Sequence, residues 1–185
     1  MYRRNGLPDG RGLDLRGLVT HYLLFFIDIA TRSVHIAGTT TNPDTPWMMQ
    51  AARNLTDIDE GFLRGKRYLI LDRDTKYSDA FRSLLVRDGI KIIRLPPRSP
   101  NLNAFAERFV RSIKEECLGR MIFLGQASLR HAVKHFMAHY HAERNHQGLG
   151  NQLLQPLSAT PLLRGVVRRR QRLGGMLSYY CREAA

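Results

Sequence analysis

The chain has 185 residues, 43% of them hydrophobic, with 29 Lys and Arg against 16 Asp and Glu and a net charge of +13 with His neutral. That length supports one compact domain with extensions, and the apolar content excludes a globally disordered chain. No apolar run approaches the ~20 residues of a membrane span, and no apolar segment follows the arginines of MYRRNGLPDGRG as a secretory signal requires, so a polyanionic partner is the expectation.

The elements follow in order. Residues 1–12 are rich in Gly and Arg and read as a disordered N-terminal segment. Leu13–Leu18 has strand character, and Tyr22–Ile29 reads as a stronger, almost wholly apolar strand. Ala30–Arg32 turns the chain into a third strand at Ser33–Thr39. Asn42-Pro43-Asp44 has the form of a helix start, with a cap, a proline and an acid, and the helix runs to Leu55 with Trp47, Gln50, Ala51 and Asn54 on one face. Tyr68–Leu71 is a short buried strand that delivers Asp72 at its end. Ser78 caps a helix carrying Phe81, Leu84 and Leu85, Ile90–Leu95 is again strand, and Pro96–Pro100 is a stiff connector. A helix starting near Asn103 carries Glu107 in its first turn, and Ala127–Tyr140 is helical with a core stripe of Leu129, Val133, Phe136, Met137 and Tyr140. Residues 164–185 hold six Arg against one Glu, interrupted by Gly174-Gly175, and read as a basic arm. The succession predicts an α/β fold. Two cysteines, Cys117 and Cys181, make no disulfide framework and suit a reducing, cytoplasmic compartment.

The chemistry sits between Asp72 and Glu107. Carboxylates at a strand end and on a helix first turn, in so basic a chain, are hard oxygen ligands for two Mg²⁺ or Mn²⁺ ions acting on a phosphodiester. Asp74 competes with Asp72, since DRDTKYS can also form an Asx turn around it. Glu107, Arg111 and Lys114 share a helix face, which suits a metal ligand followed by phosphate contacts; Glu115 and Glu116 turn away to solvent. For a third carboxylate, Asp14, Asp28 and Asp9 stand open, as does none, with Asp14 first. His131, His135 and His139 step by four, but neither Cys lies near them in zinc-finger spacing. Arg144, His146 and Gln147 after that helix, and Arg168, Arg169, Arg170 and Arg172 in the arm, are the further candidates for DNA contact.

The stretches FFIDIATRSVHIAG, LILDRDTKYSDAF, LPPRSPNLNAFAERFVRSIKEECLGR and HYHAERNHQGLG, in that order, resemble the catalytic core of the retroviral-integrase-type transposases of bacterial insertion sequences, within the ribonuclease-H-like superfamily. The resemblance implies a ribonuclease-H-like fold with a mixed five-stranded sheet flanked by helices, a core at residues 13–157 and a basic extension at 158–185. It implies Mg²⁺-dependent strand cleavage and strand transfer on double-stranded DNA at transposon ends and target, in a homo-oligomer at the bacterial nucleoid, with Asp72 and Glu107 as two catalytic acids and Asp14 as the first. Tyr140, Arg144, His146, Gln147, Gly148 and Leu149 match the family's YxxxRxHQGL tract, with Asn145 where a proline is common. The family's upstream helical DNA-binding domain has no counterpart here, so Met1 is expected to start inside a shortened gene. The alternative expectation is a catalytically inactive remnant that still binds DNA.

Overall fold

The structure, a computed structural model, describes residues 10–14, 17–72, 74–96, 104–156 and 165–183; of residues 10–14, 17, 18 and 183 it describes the backbone alone. The chain runs β1 (Gly10–Asp14), β2 (Gly17–Ile27), β3 (Val34–Thr40), α1 (Thr45–Leu55), β4 (Tyr68–Leu71), α2 (Asp79–Arg87), β5 (Lys91–Arg94), α3 (Ala104–Glu116), β6 (Phe123–Leu124), α4 (Gly125–Ala142), β7 (Val166–Arg172) and β8 (Leu177–Glu183).

Strand β2 organises the core because both of its faces are apolar, as its run of LLFFI requires. Leu23, Phe25 and Ile27 point to one side, where they pack with Phe109 and Ile113 of α3 and with Phe136 and Tyr140 of α4. Leu24 and Phe26 point to the other, against Met48, Ala52 and Leu55 of α1 and Phe81 and Leu85 of α2. Strand β4 repeats the alternation: Leu69 and Leu71 join the α1–α2 side, and Ile70 packs on the α3–α4 side. Phe25 meets Phe109 at 4.8 Å between ring centroids and Phe109 meets Tyr140 edge-on at 5.2 Å, so α3 is held between β2 and α4 by aromatic contacts.

The expected single five-stranded mixed sheet is not what forms. Among the described residues there are three separate sheets: four strands in the order β3-β2-β1-β6, a parallel pair β4-β5, and a pair β7-β8. The reason lies in how β2 is shared. Its C-terminal part, Tyr22–Ile27, pairs antiparallel with β3, whereas the described residues of β1 pair with Gly17–His21, in a hairpin closed by Asp14 opposite Gly17. Among the described residues β2 and β4 therefore share no hydrogen-bonded neighbour, and the outer edge of β1 takes β6 in parallel. Among the described residues, β2–β3 and β4–β5 are brought together by packing against the two helix layers.

Two local expectations are also corrected. Helix α1 is capped by Asp44, whose carboxylate accepts from the Trp47 N–H at 2.9 Å, not by Asn42. Its buried face is Met48, Ala51, Ala52 and Leu55, so Gln50 and Asn54 lie outside and bond to each other at 2.8 Å. Helix α2 keeps its expected cap, with Ser78 Oγ accepting from the Phe81 N–H at 3.2 Å. The basic C-terminal stretch is an antiparallel hairpin, β7–β8, in which Gly174 and Gly175 adopt φ of +65° and +92° between the strands. Asp9, Arg164, the Pro97–Pro100 part of the connector, the start of the helix near Asn103 and the segment 158–164 lie outside the described residues.

Candidate nucleic-acid and metal site

Asp72 follows directly on β4. Strand period sets it on the same side as Ile70, the side covered by α3. Its Oδ1 accepts from the Asp74 N–H at 3.2 Å, and Asp74 Oδ1 accepts from the Lys76 N–H at 2.9 Å, so Asp74 does form the Asx-type turn its sequence allows. Lys76 then lies with its Nζ 5.1 Å from the centroid of the Tyr22 ring, which fixes the Asp72 loop beside Tyr22 on β2. Glu107 lies in the first turn of α3, half-buried, with Arg111 and Lys114 exposed further along the same helix.

The two described candidates for the third acid diverge along β2. Asp28, just beyond the strand's C-terminal end, is buried and ion-paired to Lys66, and its Oδ1 accepts from the Ala30 N–H at 2.9 Å. Burial alone would raise its pKa, but the Lys66 hydrogen bond and charge, with the Ala30 amide, hold the carboxyl below its ordinary range. Asp14 is opposite Gly17 at the other end of β2, five residues or about 17 Å of strand from Tyr22. Its side chain lies outside the described set, as does the whole of Asp9. Among the described residues, no group of three or more His, Cys, Asp or Glu side chains gathers to hold a metal ion.

The histidines and arginines sort into structural and open roles. His139 is buried with its Nδ1 3.2 Å from Glu143 Oε2, and His141 Nε2 accepts from the Val34 N–H at 3.1 Å, tying α4 to β3. Arg172, one of the candidates for DNA contact, reaches back from β7 to Glu143, with Nε 2.9 and 2.8 Å from its two oxygens. Arg168, Arg169 and Arg170 are exposed on β7, and Arg169 Nη2 donates to Ser178 Oγ across the hairpin at 3.0 Å. The hairpin thus presents a two-stranded basic ribbon.

Arg144, His146 and Gln147 converge on a cleft of about 610 Å³ between α3, the end of α4 and the β2–β3 turn. His146 Nε2 is 2.7 Å from the Tyr140 carbonyl oxygen and its amide N–H donates to the Gln152 carbonyl at 3.0 Å, which folds the HQGL loop onto the helix end. Arg144 pairs with Glu116 at 2.7 Å, so Glu116 is not a simple solvent carboxylate. Two arginines the sequence reasoning passed over, Arg32 and Arg108, line the same cleft. Arg32 sits in a turn with nothing to mark it as functional, and Arg108 lies one residue off the 107–111–114 face; the alternation of helix faces alone gives no signal for either.

Residues 88–153 match the family described as integrase core domain. No curated protein matches the chain. Among solved structures, a chain of the simian T-cell lymphotropic virus intasome in complex with the PP2A regulatory subunit B56 gamma superposes with a TM-score of 0.51 at 14% identity, covering 99% of this chain and 70% of that one. No described helix is long and apolar enough to cross a membrane. The chain shares the fold of that intasome chain, and its segment from Asp88 to Leu153, including Glu107 and the HQGL tract, matches the integrase core domain.

Proposed function

We propose that the chain is a transposase-type polynucleotidyl transferase that cleaves and joins strands of double-stranded DNA, acting from a core at residues 13–157 with the basic extension at 158–185 as an added DNA grip. What supports this reading is Asp72 directly after β4, whose Ile70 packs on the α3 side, together with Glu107 in the first turn of the α3 segment that matches the integrase core domain. The donor chemistry fits Mg²⁺ or Mn²⁺, since carboxylate oxygens are hard ligands and two leave positions for water and phosphate oxygens. Asp72 and Glu107 would hold the metal, and Asp14 is the candidate third acid. The bound ions supply activation of a water or sugar hydroxyl and stabilisation of the leaving oxygen in an in-line displacement.

The chain's own residues do the positioning. Asp72 is oriented by the Asp74 amide. Arg111 and Lys114 extend from Glu107 along the exposed face of α3, spaced to meet successive phosphates. Arg168, Arg169 and Arg170 add a sequence-independent contact from the hairpin. A homo-oligomer on bacterial nucleoid DNA is the corresponding assembly, because joining two ends to a target needs more than one such site.

A second reading, a catalytically inactive protein that retains DNA binding, is favoured by one observation: Asp28 is buried and engaged by Lys66 and the Ala30 amide, as a structural acid would be. Nicking of supercoiled plasmid with Mg²⁺ or Mn²⁺ separates the two. Metal-dependent nicking by the wild type that is lost in Asp72→Asn and Glu107→Gln supports the transferase. DNA binding with no nicking under either metal supports the inactive form.

A further inference from the structure

Arg32 has two unusual features at once. It adopts φ of +60°, a left-handed backbone that a long side chain rarely takes, within the turn closed by the Asp28 N–H to Ser33 carbonyl bond at 2.9 Å. Its Nη1 is buried with no hydrogen-bond partner among the described residues. A guanidinium N–H removed from water and left unbonded is costly, and the charge it carries is offset where the rest of the guanidinium meets an anionic acceptor in the cleft it lines. The turn throws the side chain across the ring of Phe105, with the guanidinium carbon 3.3 Å from the ring centroid, which fixes the plane of the fork before any ligand binds.

The fork opens on the cleft that Arg108 and Arg144 also line, and no Asp or Glu is among its described lining residues. Arg144 is half-neutralised by Glu116, whereas neither Arg32 nor Arg108 has a carboxylate partner among the described residues. Gly148 is part of the device. A Cβ built there would stand 3.2 Å from Arg108 Nη1, so the absence of a side chain lets that guanidinium lie against the HQGL loop. We infer that this cleft is a phosphoryl-binding site, in which Arg32 and Arg108 grip one phosphate group with paired N–H donors and Arg144 contributes a third charge. The chemistry recognised is a tetrahedral oxyanion with several acceptor oxygens, which arginine forks match in pairs. It rests on the proposed nucleic-acid function only in taking that phosphate to belong to a DNA strand.

The test uses the full chain in EDTA, with fluorescent single-stranded DNA as the probe and inorganic pyrophosphate as a competitor. Because no metal is present, failure here leaves the Asp72–Glu107 proposal standing, and failure of nicking leaves this measurement unaffected. Arg32→Gln and Arg108→Gln should each weaken binding about 10-fold, the loss expected for a charge-assisted contact. Arg53→Gln, an equal change of charge on exposed α1 in the opposite layer, should stay within about twofold. Gly148→Ala should weaken binding slightly or not at all with no change of charge, since its Cβ asks Arg108 Nη1 to move by a few tenths of an ångström. Arg108 is on an exposed helix face, so that variant tests the site even if Arg32→Gln melts early. Displacement of the DNA by pyrophosphate identifies the phosphate group as what is bound. Pyrophosphate binding that depends on Arg32 and Arg108, without DNA binding, keeps the site and assigns it to a free anion. Equal losses in all three arginine variants, or full DNA binding by Arg108→Gln, would overturn it.

Discussion

Arg172 of β7 and Glu143 at the end of α4 form a two-pronged ion pair, with Arg172 Nε 2.9 and 2.8 Å from the two carboxylate oxygens. The Glu143 side chain is only 1% exposed, so this contact, together with the buried Leu177, fastens the basic hairpin to the core. Arg172→Ala leaves a buried carboxylate without its main partner and should cost about 2 kcal/mol of hairpin docking. Hydrogen exchange should speed up across 165–183 while α3 and β2 keep their protection. Equal acceleration throughout the chain would mean that the hairpin is part of a single cooperative unit.

The same pair predicts acid sensitivity. Burial raises the Glu143 pKa, but the hydrogen bonds and charges of Arg172 and His139 outweigh it and hold the carboxyl below its ordinary range. A carboxyl with a depressed folded value stabilises the fold above its unfolded pKa and loses that contribution as pH falls through the folded one. The hairpin should therefore loosen below about pH 4.3, the ordinary Glu value. Proteolysis of the hairpin followed from pH 6 downward checks this, and Arg172→Ala should show no such acid step.

His141 carries a second pH dependence at higher pH. Burial, aided by His146, lowers its pKa from 6.5 to about 4. The unfolded chain therefore takes up a proton that the folded chain refuses, and the stability linked to this residue falls as pH drops from 6.5 to about 4. Replacing it with Gln, which keeps an acceptor for the Val34 N–H, should flatten that part of the profile. Urea unfolding of wild type and variant at several pH values measures the difference; identical slopes would show that His141 titrates normally.

Asp28→Asn tests whether that acid is structural. Its carboxylate is engaged by Lys66 and the Ala30 amide, so the variant should lose about 1–2 kcal/mol of stability. Affinity for Mn²⁺ and any nicking should be unchanged. A lost metal affinity with normal stability would return Asp28 to the list of ligands.

Much of this was legible in the sequence, and the failures have physical causes. The apolar run of β2, the Ser78 cap, the α4 core stripe and the delivery of Asp72 by β4 all follow from periodicity and local chemistry. Helix α1 was misread because Asn42 and Asp44 are both competent caps, and which one wins depends on the Asp44–Trp47 contact in three dimensions. The sheet was misread because register is nonlocal: nothing in GRGLD says that it pairs with Gly17–His21 on one side and with β6 on the other. The charged side chains were the least legible. Six arginines in the tail read alike, yet Arg172 anchors the hairpin while Arg168, Arg169 and Arg170 face outward. Arg32 and Arg108 emerged only when the turn, α3 and the HQGL loop met in space.

Calorimetric titration of Mn²⁺ tests the central proposal, that Asp72 and Glu107 share a metal. Wild type should bind Mn²⁺, and Asp72→Asn and Glu107→Gln should each weaken it at least ~10-fold, as the loss of a carboxylate ligand to a hard cation predicts. Neutralising one acid of the pair should leave the melting temperature unchanged or slightly raised, because it relieves repulsion between like charges. Affinity for Mn²⁺ that is the same in wild type, Asp72→Asn and Glu107→Gln would contradict a metal site built on these two residues.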